Sequence, residues 1–486
     1  MARTTFLAHY IEFLMSPAGA FALLFVLPLV FYIYTEARRR SRGGTFSIPG
    51  CLRLVRQAKS NLGDQYNSIA PEDSTPRVKS LFVYPVKSCR GVELSASEVT
   101  GTGLKYDRLF SFAQLVSSKK QASADLGGIS EVNSEVSHQW RFITQREVPR
   151  LALLSTELWI PDPRKTAATP MHTKLSSKVA NGSVAPGLTY RKGQSTENGV
   201  PKAGVASRDH ESADRIEDWS ANGGCLVIRF PYEQYGSIFG SATELITVKL
   251  PLQPGPERAK AKAYTYESMA IWKDCPESVN LSNEIEAESL AKLKYFLGVT
   301  NPLALFRVDD GNLRAVTRGL PRDLPDEKFK VGFADAFPVH VLNIASVRAV
   351  DDSLPGEAKV KGSLDSRRFR ANIYVSGPAA FAEDKWMRIS AGQPLIGHRT
   401  SGIAEYHAAC RTARCTLPNV HPDSAMKDRN EPHATLKRTR QVDEGAKPHP
   451  CLGLSMIPLF QQGIIRCGDK IEVLEEGEHV YEKMFK

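Results

Sequence analysis

Apolar residues fall in short runs broken by turn residues, and that pattern constrains the fold of this chain more than any other feature. Val78 to Val86 reads VKSLFVYPV and Val92 to Val99 follows, with KSCRG between them. Leu109 to Val116, Cys225 to Phe230, Glu244 to Leu250 and Ile464 to Leu474 repeat the pattern. Such runs, rich in β-branched and aromatic residues and bounded by Gly, Pro, Asn or Ser, read as strands. Two segments read as helices. Asn283 to Leu297 has Ser282 or Asn283 as an N-cap and Gly298 just behind it, and a second helix falls near Ala345–Leu354. The expectation is a mainly β protein with some α, and 486 residues suit two or three domains.

Composition narrows the class. Hydrophobic residues make up 42%, which excludes a wholly disordered chain, and 35 Gly with 30 Pro exclude a collagen-like repeat. Lys and Arg number 63 against 53 Asp and Glu, a net charge of +10. That excess suits an anionic membrane surface, acidic partners or anionic ligands. It is too diffuse to argue for nucleic acid, and no nucleic-acid partner is expected. Eight Cys without a CxxC pair argue against a disulfide scaffold and against a paired-CxxC zinc module. There is no GxGxxG, P-loop, GxSxG, HExxH or kinase signature.

Ser16 to Thr35 carries no charge, the length a helix needs to cross a bilayer of about 30 Å. Arg38, Arg39, Arg40 and Arg42 follow, while Arg3 is the one basic residue among the first fifteen. The positive-inside bias predicts a single N-terminal transmembrane helix with the body in the cytosol. The anchor and its basic flank occupy 1–42, and 43–76 reads as a tether. Two polar stretches, 117–138 and 161–222, read as insertions.

Three constellations carry chemistry. KSCRG, Lys87 to Gly91, offers a Lys, the Ser88 hydroxyl and backbone N–H groups as an anion cradle, with Arg108 in YDRLF beside it. A hairpin loop with a solvated Lys is the alternative. In RRFRANIYVSG, Arg367 to Gly377, residues Arg370 and Asn372 alternate as on one face of a strand, although the stretch also reads as a basic strand edge. CRTARC, Cys410 to Cys415, matches no common zinc spacing and reads either as an inert buried thiol or as a single thiolate. In the second case Arg411 and Arg414 would favour the charged form.

Taken together, these segments resemble the MOSC family, the molybdenum cofactor sulfurase C-terminal domain proteins, and within it the membrane-anchored mitochondrial amidoxime-reducing component group. YPVKSCRGVEL, YDRLF, FADAFPVHVLN, RRFRANIYVSG, FAEDKW, the segment around Cys415 and GDKIEV are similar to successive elements of that family. The resemblance implies a MOSC-type N-terminal β-barrel domain over 77–250, a linker with a helical segment over 251–310, and a C-terminal MOSC β-barrel domain over 311–480. It implies Mo-molybdopterin (the molybdenum cofactor), with Cys415 as metal ligand and catalytic residue. Lys87, Ser88, Arg108, Arg370, Asn372, Ala413 and Arg414 match positions that hold the cofactor. It further implies reduction of small N-hydroxylated substrates, amidoximes and hydroxylamines, with electrons from cytochrome b5 and an NADH-cytochrome b5 reductase. The membrane would be the mitochondrial outer membrane or the endoplasmic reticulum. Pyridoxal phosphate binding is a further property attached to the family. A sulfur-carrier or cofactor-maturation protein with a persulfide on Cys415 is the alternative. Two departures stand out: His421 takes the place of the family's usual Asp, and Ala425 that of its usual Gly.

Overall fold

A computed structural model describes residues 16–17, 46–54, 59–67, 75–119, 136–166, 217–234, 242–324, 327–396 and 402–482. The chain separates into two compact units, Met1–Pro49 and Gly50–Lys486, and the second holds the folded body. The anchor expected at 16–35 lies outside the described residues apart from its first two positions, as do its arginine flank, 120–135 and 167–216 of the two insertions, and parts of the tether. Among the described residues no helix is long and apolar enough to cross a membrane.

Strands dominate. Five close into a barrel in the order Thr265–Ala270, Glu277–Asn280, Leu303–Val308, Phe110–Lys119 and Val136–Phe142. A four-stranded sheet of Cys51–Arg53, Ser155–Pro161, Cys225–Gln234 and Ala242–Pro251 accompanies it. The chain then forms an eight-stranded sheet, in the order Ile471–Glu476, Trp386–Ala391, Glu405–Ala413, Cys451–Pro458, Val339–Asn343, Ile373–Ser376, Arg77–Val83 and Val92–Leu94. Among the described residues the five-stranded barrel is the one closed barrel. The C-terminal strands, expected as a second barrel, form this eight-stranded sheet, and its edge by Ile471 is joined to Arg77–Val83 by a bridge from Arg77 to Lys470 and by main-chain bonds from Ile471 N to Pro76 O (2.8 Å) and Val78 N to Asp469 O (2.9 Å).

Two features depart from the sequence expectation, and both come from long-range pairing. Residues 251–310 hold the helix Ala287–Leu297, but also three strands that complete the barrel. Two of them, Thr265–Ala270 and Glu277–Asn280, are short strands with few apolar residues, which declare themselves only once they have partners to pair with. The first strand of the domain expected over 77–250, Arg77–Val83, lies in the C-terminal sheet, where Leu81 pairs with Ile373. One hydrophobic core runs accordingly through both halves and includes Leu81, Val83, Phe110, Phe112, Val341 and Met456. Cys451–Pro458 is buried along its whole length, as a strand covered on both faces should be.

The helices begin and end as local chemistry dictates. Gly298 (φ 71°) closes Ala287–Leu297 in the left-handed conformation, which costs glycine nothing. The start is later than expected, with a 3-10 turn at Ser282–Glu284 ahead of it. Ile344–Asp352 is capped by Asn343, whose side chain accepts from the Ala345 N–H at 3.0 Å.

Candidate functional site: a cationic cleft around Cys415

The strand Arg77–Val83 runs into the loop 84–91. That loop is held by main-chain bonds to the turn at 105–110: Arg108 N donates to Tyr84 O (2.8 Å), Lys87 N to Phe110 O (2.7 Å) and Phe110 N to Pro85 O (2.9 Å). Asp107 adds a side-chain acceptor for Tyr84 N at 2.8 Å. The 3-10 turn Ser366–Phe369 delivers Arg370, and the strand Glu405–Ala413 delivers Arg414 and Cys415 just past its end. Together these segments line a cleft of about 580 Å³, within the usual range for a small-molecule site. All eight residues singled out from the sequence (Lys87, Ser88, Arg108, Arg370, Asn372, Ala413, Arg414 and Cys415) are on its wall.

Three of them hold unusual backbone conformations. Ser88 (φ 66°), Arg108 (φ 47°) and Arg370 (φ 55°) are left-handed without being glycine. Such strain persists only where surrounding structure enforces it, and it clusters at ligand-binding sites. For Arg370 it also corrects the expectation that Arg370 and Asn372 share a strand face. The strand begins at Ile373, and the left-handed turn at Arg370 breaks the two-residue alternation. The two still meet, through Arg108: its Nη1 donates to Asn372 Oδ1 (3.1 Å) and its Nη2 to Arg370 O (3.1 Å).

Asn372 works as a strut. It is fully buried, its Nδ2 donates to Phe82 O at 3.1 Å, and its Oδ1 also accepts from His340 N at 3.1 Å. Arg370 stacks over Tyr84 with 4.1 Å from guanidinium carbon to ring centroid, and Nη1 donates to Cys89 O at 2.7 Å. Its Nη2 is buried with no hydrogen-bond partner among the described residues.

Charge is the cleft's main property. Lys87, Arg108, Arg368, Arg370 and Arg414 line it, with Arg146 and Lys447 further along the wall, against Asp335 as the one carboxylate among the described lining residues. Lys87 is 6% exposed; its Nζ donates to Phe333 O (2.8 Å) and forms an ion pair with Asp335. That pairing holds the Asp335 carboxyl well below the usual carboxylate range. Arg368 donates to Pro418 O (3.0 Å), and Arg414 to Leu452 O (2.9 Å from Nε) and Phe369 O (3.1 Å). Burial lowers the pKa of Arg368 and Arg370, and that of Arg414 to about 10. Backbone carbonyls solvate these buried cations but do not neutralise them. An anionic group in the cleft would relieve that cost.

His340, on the strand Val339–Asn343, is kept neutral by burial and by the Arg414 and Arg108 charges. Its Nε2 meets Arg414 Nη2, so Nε2 must be the acceptor and Nδ1 carries the proton. Gly453 (φ 74°) makes room for this pair, because a Cβ there would lie 2.8 Å from His340 Nε2. Sequence reasoning missed His340, Arg368 and Asp335. Each stands inside a segment that resembles the family, but only the fold turns it toward the cleft.

The two candidate thiols differ. Cys415 is exposed and its Sγ accepts from Leu417 N at 3.5 Å. Cys410 is buried, and burial pushes its thiol far up. Arg411, expected beside the thiolate, points away: its guanidinium donates to His479 O (3.0 Å) and pairs with Glu478 (2.9 Å). Strict alternation would set Arg411 on the face of Ala413 and Cys415, but the register shift between Arg411 and Ala413 breaks it. His421 does not line the cleft either, and its Nδ1 accepts from Asp423 N and Ser424 N, both at 3.2 Å. Ala425 is left-handed (φ 57°), the conformation that favours the glycine usual in the family. All eight cysteines are free, and no group of three or more His, Cys, Asp or Glu among the described residues could hold a metal. A metal at Cys415 would therefore need most of its ligands from a cofactor.

This fold and cleft define a mainly β protein with a cationic small-molecule site around one exposed thiol. Residues 328–472 match the MOSC domain and 75–221 the MOSC N-terminal beta barrel domain, and the chain belongs to the MOSC family. It is 23% identical over 406 residues to mouse (Mus musculus) mitochondrial amidoxime-reducing component 1, spanning 82% of each chain. It is 32% identical over 157 residues to bovine (Bos taurus) mitochondrial amidoxime reducing component 2, which is 32% of this chain and 40% of that one. A molybdenum cofactor sulfurase of rice (Oryza sativa subsp. japonica) is 26% identical over 232 residues, 45% of this chain and 26% of that protein. Pyridoxal phosphate appears in none of these names, and that expectation is dropped.

Proposed function

We propose that this protein is a molybdenum-cofactor-dependent oxidoreductase that reduces N-hydroxylated compounds, amidoximes and hydroxylamines. The observation that carries the reading is the exposed Cys415 thiol in a cleft walled by buried cations, of which Arg368, Arg370 and Arg414 have no carboxylate partner among the described residues. The names of the mouse and bovine relatives support it. The residues present fit the cofactor: a soft sulfur donor for the metal, and guanidinium and ammonium groups, one with an orphaned Nη2, for a phosphorylated pterin. When bound, the cofactor would supply the two-electron chemistry that removes oxygen from an N–O bond.

The chain's own contribution is binding and electrostatics. Cys415 Sγ would be the protein's ligand to the metal. Lys87, Ser88 and Arg370 would take the pterin and its phosphate, Arg108 and Asn372 would hold the two loops together, and Ala413 and Arg414 would lie against the cofactor. Electrons would come from cytochrome b5 and its NADH-dependent reductase. An acidic cytochrome face would be drawn to a chain of net charge +10. An N-terminal anchor at 16–35 would hold the body on the cytosolic side of the mitochondrial outer membrane or the endoplasmic reticulum, with the barrel domain ahead of the MOSC domain.

Purified protein should contain molybdenum and pterin in equimolar amounts and reduce benzamidoxime when supplied with cytochrome b5, its reductase and NADH. The match to the rice sulfurase favours one other reading, a maturation protein with a persulfide on Cys415. Molybdenum-free protein carrying cyanide-releasable sulfur would select it.

A further inference from the structure

We infer that Trp272 and Arg146 form the substrate platform of the cleft and select planar aryl N-hydroxylated compounds, anionic ones above all. The inference deepens the proposed function and rests on it for the reacting group. Trp272 comes from the barrel half, at the tip of the turn between Ile271 and Asp274, whose main chains bond to each other in both directions (2.8 and 3.0 Å). It is left-handed (φ 56°), which is costly for a bulky side chain and more easily met by Gly or Asn. The strain leaves a large aromatic residue 39% exposed on the cleft wall.

Its surroundings are ordered. The indole N–H donates to Asp335 Oδ1 at 3.3 Å, the carboxylate that also pairs with Lys87. One carboxylate thus joins the platform to the loop proposed to hold the cofactor. Phe142 meets the indole edge-on at 5.2 Å, and the Arg146 guanidinium lies 4.7 Å from the ring centroid. Arg146 lines the cleft and has no carboxylate partner among the described residues. An exposed aromatic wall stacks a flat ring, and an adjacent guanidinium without a carboxylate takes one carried on that ring.

The test compares benzamidoxime, 4-carboxybenzamidoxime and acetamidoxime by calorimetric binding and by turnover, using the purified holoenzyme. The wild type should bind benzamidoxime about tenfold more tightly than acetamidoxime, the worth of one stacking contact. Trp272→Ala should erase that difference, and Trp272→Phe should restore most of it. Arg146→Ala should remove the added affinity of the carboxylated compound alone. The changes should fall on KM for the aryl compounds more than on their kcat. Equal affinities for aryl and alkyl compounds in the wild type, or equal losses on both in Trp272→Ala, overturn the platform. Selective binding without turnover would instead overturn the proposed reaction and leave the platform standing.

Discussion

Arg108 Nη1 donates to Asn372 Oδ1 across 3.1 Å, joining residues 264 positions apart in the chain. Through this bond the turn at 105–110 and the segment before the strand Ile373–Ser376 act as one wall. Asn372→Ala removes that acceptor, the acceptor for His340 N and the donor to Phe82 O from a fully buried position. The loss of stability should be about 2–4 kcal/mol. Chemical denaturation measures it; an unchanged midpoint would mean that the two loops are held by other contacts.

Thiol reactivity should separate the cysteines. Cys275 and Cys415 are exposed, whereas burial pushes Cys89, Cys225 and Cys451 up to about 12 and Cys410 higher still. Brief alkylation at about pH 7.5 followed by peptide mapping should mark Cys275 and Cys415 and spare Cys410. Cofactor-loaded protein should be protected at Cys415 and not at Cys275.

A buried carboxyl away from the cleft should shape the pH dependence of stability. Glu383 is fully buried and accepts from Ser346 Oγ at 2.8 Å; burial, with Asp384 adding to it, raises its pKa from 4.5 to about 7. Between those values the folded state keeps a proton that the unfolded chain has released. Stability should therefore fall as pH rises from 4.5 to 7 and level off above, by on the order of 3 kcal/mol for this group. Glu383→Gln should flatten that slope in denaturation curves recorded across the window.

The place of Lys87 and Ser88 on the cleft wall was legible through the resemblance of YPVKSCRGVEL to a family element, since residue types and spacing alone also fitted a hairpin loop with a solvated Lys. Cys415 was legible for a similar reason, since its flanking segments succeed one another in a distinctive order. The barrel strands Thr265–Ala270 and Glu277–Asn280 were not. They hold few apolar residues, and Met269 and Ala270 pair with Trp140 and Arg141, more than a hundred positions away. The expectation for Arg411 failed because a charge near a thiol in sequence need not face it. His340 and Trp272 could not be singled out at all. One is a polar residue in an apolar strand and the other lies in a turn, and only the packed sheets bring each to the cleft.

A salt link ties the cleft's edge together. Asp423 pairs with Arg90 at 2.6 Å and Arg367 at 2.5 Å, connecting the segment after Cys415 to the two cationic loops. The link is partly exposed, so Asp423→Asn should cost below about 1 kcal/mol of stability. Its effect should emerge instead as a looser fit around the cofactor, read as faster release of pterin during dialysis.

Of the eight thiols, Cys415 alone should hold the metal. Molybdenum content per chain, measured for purified wild type, Cys415→Ser and Cys410→Ser, tests this most directly. A full complement is expected in wild type, nearly the same in Cys410→Ser and next to none in Cys415→Ser, with all three equally folded. Molybdenum retained in Cys415→Ser, or lost from Cys410→Ser in its place, would contradict it.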